Sequence, residues 1–214
     1  IAEENSLCIS ILNRKGRCRM CYQYKKIKIV PKHSYEVIRN CSKCGCKMNY
    51  VNTGRFRVNA NGRRIDVWLI YQCEKCTHTL NLSIYERVNP EMIPGDEYKK
   101  FLANDEECAL EYGTNYPLFA KNKAQICDEK IEYLIKEEIV PQKENLESTI
   151  FRIENLLAKK IRTDKFVSEL LGLSRSKIQE YVREGKISEF DKYISDFIEI
   201  QTCIETKSEA TLES

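Results

Sequence analysis

The spacing of apolar and polar positions changes along the chain, from the alternation of strands to the longer period of helices. From Ile27, "KIKIV" and "YEVIRNC" alternate apolar and polar residues and are rich in β-branched side chains, which predicts strands. "CSKCGCKMNY" follows as a tight Cys/Gly-rich turn. "RFRVNANGRRIDVWLIYQC" predicts a hairpin with Asn61 and Gly62 as the central turn residues, both at positive φ. "THTLNLSIYERV" predicts a last strand, and Pro90 with Pro94-Gly95 ends the β region. From Asp96 the spacing becomes helical. "GDEYKKFLANDEECALEYG" has acids near its start, where the helix dipole favours them. "YPLFAKNKAQICDEKIEYLIKEEIVP" continues as one or two more helices, broken at Pro141.

A further helix is predicted in "LESTIFRIENLLAKKI", and then a helix pair in "RTDKFVSELLGLSRSKIQEYVREGKI". In the pair, Thr163 or Asp164 caps the first helix and Phe166, Val167, Leu170 and Leu171 form its apolar face. Gly172 suits a left-handed helix end and Ser174 caps the second helix. Ile178, Tyr181 and Val182 share one face of that helix, and Gly185 ends it. The tail "KSEATLES" is polar and expected to fray. The expected fold class is α+β: a small zinc-ribbon-like antiparallel sheet, a helical middle and a C-terminal RNA-binding-type helix pair. The expected domains are an uncertain leader over 1–28, a zinc-ribbon-like β domain over 29–95, an acidic helical region over 96–145, and a helical module with a polar tail over 146–214.

Charge sharpens this division. The net charge of the 214 residues is only +3. Residues 1–90 carry 17 Lys+Arg against 6 Asp+Glu, whereas residues 91–145 carry 7 against 13. Within the last region, residues 152–187 carry 9 against 5 and residues 188–214 carry 2 against 7. Cations thus gather at the front and on the helix pair, as phosphate binding requires. With 42% hydrophobic residues the chain can build a core. No apolar run approaches the ~18 residues of a membrane helix, and "IAEENSLCIS" has no signal-peptide pattern, so a cytoplasmic location is expected.

In a reducing compartment, cysteines in Cys-x-x-Cys pairs point to metal before disulfide. Cys41-Ser-Lys-Cys44-Gly and Cys73-Glu-Lys-Cys76 are two such pairs, joined by the predicted hairpin. Each turn presents two sulfurs on one side of a bend, and the hairpin brings the pairs together as a four-thiolate, closed, structural zinc site. The alternatives are four unbonded buried cysteines, a redox pair, or replacement of one ligand by Cys46 or His78. Cys18 and Cys21 form a third pair, read either as ordinary thiols or as half of a second metal site. Cys8, Cys108, Cys127 and Cys203 read as small core or surface residues.

No catalytic constellation emerges. "NANGRR" is a hairpin turn rather than a phosphate loop. The chain has two histidines, His33 and His78, and neither is placed by the sequence beside Cys46 or Cys127, as a cysteine hydrolase would need. The carboxylates at 105–107 read as a solvated helix face. Arg55, Arg57, Arg63 and Arg64 flank the hairpin turn, where they either solubilise a small sheet or bind nucleic-acid backbone. Trp68 reads as core, with base stacking as the alternative.

Two resemblances follow from these residues. The "RTDKFVSELLGLSRSKIQEYVREGKI" stretch resembles the RNA-binding domain first seen in small-subunit ribosomal protein S-four, through Arg-x-Asp, Leu-Gly-x-Ser-Arg-Ser and a second helix ending in Gly. The resemblance implies that Arg162, Ser174, Arg175, Ser176 and Lys177 face structured RNA. Arg183 and Lys186 extend the same basic surface. The paired CxxC turns, "FRVNANGRRIDVWLIYQCEKC", "YERVNP", the acidic middle and the "RTDK…SRSK" end resemble the bacterial family "domain of unknown function 1062", over about residues 29–187. That resemblance implies no established activity. The expected function is therefore non-enzymatic binding of structured RNA (rRNA or tRNA) by a zinc-containing protein. The alternative is a protein-interaction adaptor whose helix pair no longer binds RNA, and a helix-turn-helix binding DNA is the weaker option.

Overall fold

The computed structural model describes residues 22–138 and 148–204. Cys8, Cys18, Cys21, Pro141 and the polar tail lie outside the described residues, as do residues 1–21 of the expected 1–28 leader. The protein is α+β, with three sheets and five α-helices among the described residues. No helix of the described residues is long and apolar enough to cross a membrane. The chain divides into two compact units, Val30–Leu134 and the combination of Ile1–Ile29 with Ile135–Ser214.

The described chain opens with β1 (Tyr22–Pro31). In the unit Val30–Leu134 it continues through β2 (Val37–Cys41), β3 (Cys46–Asn61), β4 (Arg64–Cys73) and β5 (Thr79–Val88). The helices α1 (Gly95–Ala103), α2 (Glu106–Thr114) and α3 (Tyr116–Lys121) come next, then the short β6 (Gln125–Ile126). The sheet order is β5-β4-β3-β2-β6, with every neighbour antiparallel. In β4, Ile65, Val67, Leu69, Tyr71 and Cys73 are buried, while the alternate residues are half-exposed. This is the two-residue period of a sheet covered on one face.

Aromatic side chains join the helices to that buried face. Phe56 of β3 lies 4.9 Å from Phe101 of α1 and meets Tyr112 of α2 edge-on at 6.3 Å. Phe119 of α3 meets Tyr71 at 6.2 Å and Tyr35 at 5.7 Å. Edge-to-face contacts suit the ring quadrupoles. Asn122, just past α3, accepts from the Ser83 backbone N–H at 2.7 Å and donates to its carbonyl at 3.0 Å, so a side chain pairs part of the β5 edge. Gly113 is set by close packing: a Cβ there would sit 2.3 Å from Ser34 Oγ and 2.7 Å from Asn52 Nδ2. Gly113→Ala is expected to cost about 1–3 kcal/mol by overpacking. A denaturant midpoint unchanged from wild type would show that the neighbours yield freely.

Three expectations are corrected in this unit. The hairpin turn is Gly62-Arg63, because Asn61 pairs with Arg64, and only Gly62 has positive φ (61°). A single Gly at the first central position suffices when the second needs no positive φ. Among the described residues, the region expected to be helical to 145 has its last α-helix in α3; a 3-10 turn (Asp128–Lys130) and β7 (Tyr133–Glu138) follow β6. Trp68 is not core: it lies on the half-exposed face of β4.

The second unit contains a sheet of order β11-β8-β1-β7, built from β8 (Ser148–Asn155) and β11 (Phe197–Thr202) with β1 and β7. β8 is parallel to β1 and antiparallel to β11. Lys25 pairs with Glu137 at 2.9 Å, and Lys28 pairs with Glu138, linking β1 to β7. The helix expected around 146–161 is therefore strand β8, and the expected helical module holds several strands. Ile153 and Phe151 of β8 are buried, and the strand pairs on both edges, with β1 and β11; a buried apolar run of this length fits either element until its partners are known. The short β9 (Ile161–Arg162) and β10 (Tyr193–Ile194) pair antiparallel and flank α4 (Thr163–Leu171) and α5 (Arg175–Arg183). Buried Asn155 donates to the Lys159, Ile194 and Ser195 carbonyls at 2.8–3.1 Å, fixing the exit from β8.

Candidate metal centre and basic surfaces

Cys41 ends β2 and Cys73 ends β4, so strand pairing alone carries both turns to the same end of the sheet. The turns are built alike. Gly45 N–H donates to the Cys41 carbonyl at 2.8 Å, and Thr77 N–H donates to the Cys73 carbonyl at 2.9 Å. Gly45 and Thr77, each following the second cysteine of its pair, both adopt positive φ (71° and 58°). Glycine accepts this conformation freely; for the β-branched Thr77 it is strained, and the hydrogen bond offsets that strain. The Glu74 N–H ties the second turn to the Asn49 carbonyl at 3.0 Å.

The result is a compact group of four sulfurs. The ligand atoms of Cys41, Cys44, Cys73 and Cys76 lie within 4.8 Å of one another. Cys41 Sγ is 3.4 Å from Cys76 Sγ, and Cys44 Sγ is 3.9 Å from Cys73 Sγ. A tetrahedral ion with metal–sulfur bonds of about 2.3 Å spaces its sulfurs by about 3.8 Å. The donor set and its spacing therefore fit a metal ion. Cys46 and His78 lie outside the group. Cys46 is exposed and contacts Met48, and His78 Nε2 is 3.2 Å from Ser42 Oγ, bridging the two turns.

The surroundings favour a thiolate at Cys41. Its pKa falls to about 6, chiefly because the buried Tyr50 hydroxyl donates to its sulfur, with backbone N–H groups of Cys44 and Lys43 adding to this against the effect of burial. The hydrogen bond it makes to Cys76 pushes Cys44 up to about 12, and burial raises Cys76. Four thiols this close do not all ionise unaided; a cation that replaces their protons removes the conflict. Tyr50 was not foreseen from the sequence, although strand parity places it two pleats from Cys46 on the same face.

The basic residues of the helix pair form two groups. Arg162 precedes α4 and Arg175 opens α5, and both bind one carboxylate, Asp164. Arg162 donates to it through Nε and Nη2, each at 3.0 Å, and Arg175 through Nε at 2.9 Å. Burial acts to raise the Asp164 pKa, but the two arginines outweigh it, and the carboxyl sits below its ordinary value. A depressed pKa means that the clamp is present above the ordinary carboxylate range. It opens only as pH falls through the folded value, below about 4. Thr163, expected as a possible cap, is instead buried with its hydroxyl unpaired, and no side chain caps α4. Ser174 caps α5 by accepting from the Lys177 N–H at 3.2 Å, and Ser176 is exposed beside it.

Lys177 and Lys186 form the second group, 4.7 and 5.1 Å from the centroid of the Tyr181 ring. Each also pairs with an acid at 2.8 Å, Lys177 with Glu180 and Lys186 with Glu184. Arg183 Nε donates to the Gln179 carbonyl at 3.3 Å and, among the described residues, Arg183 is in no ion pair. The role missed on this surface is that of Asp164 as the carboxylate shared by Arg162 and Arg175; the sequence offers it as a possible helix cap and as part of the Arg-x-Asp pattern.

Fold and site together define an α+β protein with a four-cysteine group able to hold a metal ion. The family model for the protein of unknown function DUF1062 matches residues 58–192, and the chain belongs to that family. No curated protein and no solved structure matches the chain.

Proposed function

We propose that this is a non-catalytic, zinc-stabilised protein that binds structured RNA through α4 and α5. The supporting observation is the shared carboxylate: Asp164 draws Arg162 and Arg175, distant in sequence, to one place beside the N-terminus of α5. Two guanidinium groups held side by side suit phosphate oxygens, and the Ser174 and Ser176 hydroxyls add donors there. Lys177, Arg183 and Lys186 extend the contact along α5. The resemblance of this segment to the ribosomal-protein-S-four-type domain supports the same assignment. Zinc is the proposed ion because four thiolates in tetrahedral reach suit it, and a site closed by four protein ligands is structural rather than catalytic. On this reading the paired turns and their hairpin are a zinc ribbon.

Arg175→Ala combined with Lys177→Ala tests the RNA site. Both side chains are solvent-accessible and the core residue Ile178 is untouched, so the fold is expected to persist. Affinity for a tRNA is expected to fall, and the slope of log affinity against log salt to shrink by about 1 for each phosphate no longer neutralised. Unchanged affinity and slope in the folded variant would remove this site. The second reading, a protein-interaction adaptor, is favoured by one observation: Arg162, Arg175, Lys177 and Lys186 each already have an acidic partner. An apolar protein interface would show little salt dependence.

A further inference from the structure

The five-stranded sheet of Val30–Leu134 has two unlike faces. One lies under the aromatic residues of α1, α2 and α3. The other presents cross-strand rows: Arg57, Trp68 and Ser83 in one, and Arg55, Ile70 and Asn81 in the next. Trp68 and Ile70 are half-buried, and Arg55 and Arg57 are exposed. Arg63 and Arg64 follow at the hairpin end, in a concavity shared with Asn89, Pro90 and Glu91.

The charge on this face is uncompensated. Among the described residues, Arg55, Arg57 and Arg63 take part in no ion pair, unlike the helix-pair cations. Asp66 is the carboxylate of the same face on β4; it sits opposite Asn59 and accepts the Arg87 backbone N–H at 2.8 Å. A free cation lowers its energy by meeting an anion, and a half-exposed indole by covering its ring. A polymer that alternates phosphates with flat aromatic rings does both at once.

We infer that this face binds single-stranded RNA, with a base stacked on Trp68 and phosphates held by Arg55 and Arg57. The surface belongs to a different unit from α4 and α5, so it stands or falls apart from the helix-pair site. Stacking on an aromatic side chain tolerates any base, so the face selects single strands rather than a sequence. Arg63 and Arg64 continue the cationic track beyond the turn.

Trp68 is the single tryptophan of the chain, so its emission reports on this face alone. The full metal-loaded chain is titrated with an oligouridylate of about 12 nucleotides, within the usual site size of single-strand binders. Saturable quenching is expected. Trp68→Leu is expected to weaken binding about tenfold or more, read by anisotropy of a labelled oligomer. Arg55→Ala with Arg57→Ala is expected to reduce the salt slope by about 1.4, from about 0.7 per neutralised phosphate on a single strand. An oligodeoxythymidylate of the same length asks whether the sugar matters; weaker binding of the DNA supports RNA as the ligand, and tighter binding of the DNA overturns that choice. Circular dichroism and metal content confirm that each variant is folded. No quenching, or an affinity unchanged in the folded Trp68 and arginine variants, would overturn the inference. Oligomer binding abolished only by Arg175→Ala and Lys177→Ala would overturn it while keeping the helix-pair site. Binding abolished only by the sheet variants is the expected result, and it leaves the helix-pair site to its own test with a tRNA.

Discussion

Cys41→Ser is expected to release the metal and to lower the melting temperature by about 10 °C or more. Structural zinc binds small modules with apparent free energies of order 10 kcal/mol, comparable with the whole stability of a domain. Even a loss of about 3 kcal/mol shifts the melting point of a domain of this size by about 10 °C or more. Cys41 carries more than its own bond. It accepts the Tyr50 hydroxyl and receives the Gly45 N–H on its carbonyl, so its turn organises the ends of both β2 and β3. Cys46→Ser is the matched control, since Cys46 is exposed and outside the four-sulfur group. It should keep both metal content and melting temperature. A Cys41→Ser protein that retains one ion per chain and melts with the wild type would show that this residue is not a ligand.

Phe119→Ala should be the most damaging single change in the aromatic layer, at about 3–5 kcal/mol in chemical denaturation. Phe119 is fully buried and meets both Tyr35 and Tyr71, and Tyr71 in turn donates to the Tyr35 carbonyl at 3.1 Å. Its ring holds α3 to the sheet, and its removal leaves a cavity that these neighbours cannot close. A loss below about 1 kcal/mol would mean that the layer repacks readily.

The four-cysteine group was legible because its information is local. Two CxxC turns and the alternation between them specify both the bends and the strands that bring them together. The same alternation foretold β2, β4, β5 and the part of β3 from Arg55 to Asn61, whereas the first residues of β3 were expected in the turn. It misassigned Trp68, because "VWLI" is apolar throughout and only strand parity separates Val67 and Leu69 from their neighbours. β8 failed for a different reason. Ile150, Phe151, Ile153, Leu156 and Leu157 satisfy helical spacing, and what makes the segment a strand is pairing with β1, where Gln23 lies opposite Thr149. A partner so distant in sequence leaves no local mark, and tertiary pairing overrides local preference. The helix pair was legible from its capping residues, Gly172 and Ser174. The Asp164 clamp was not, since it depends on how α5 returns to the start of α4.

Recovery of RNA after ultraviolet cross-linking in cells, with binding repeated across a salt series, tests the central claim most directly. Enriched rRNA or tRNA, released at high salt and by the Arg175→Ala and Lys177→Ala change, is the predicted result. A folded, metal-loaded chain that recovers no RNA above background would contradict it.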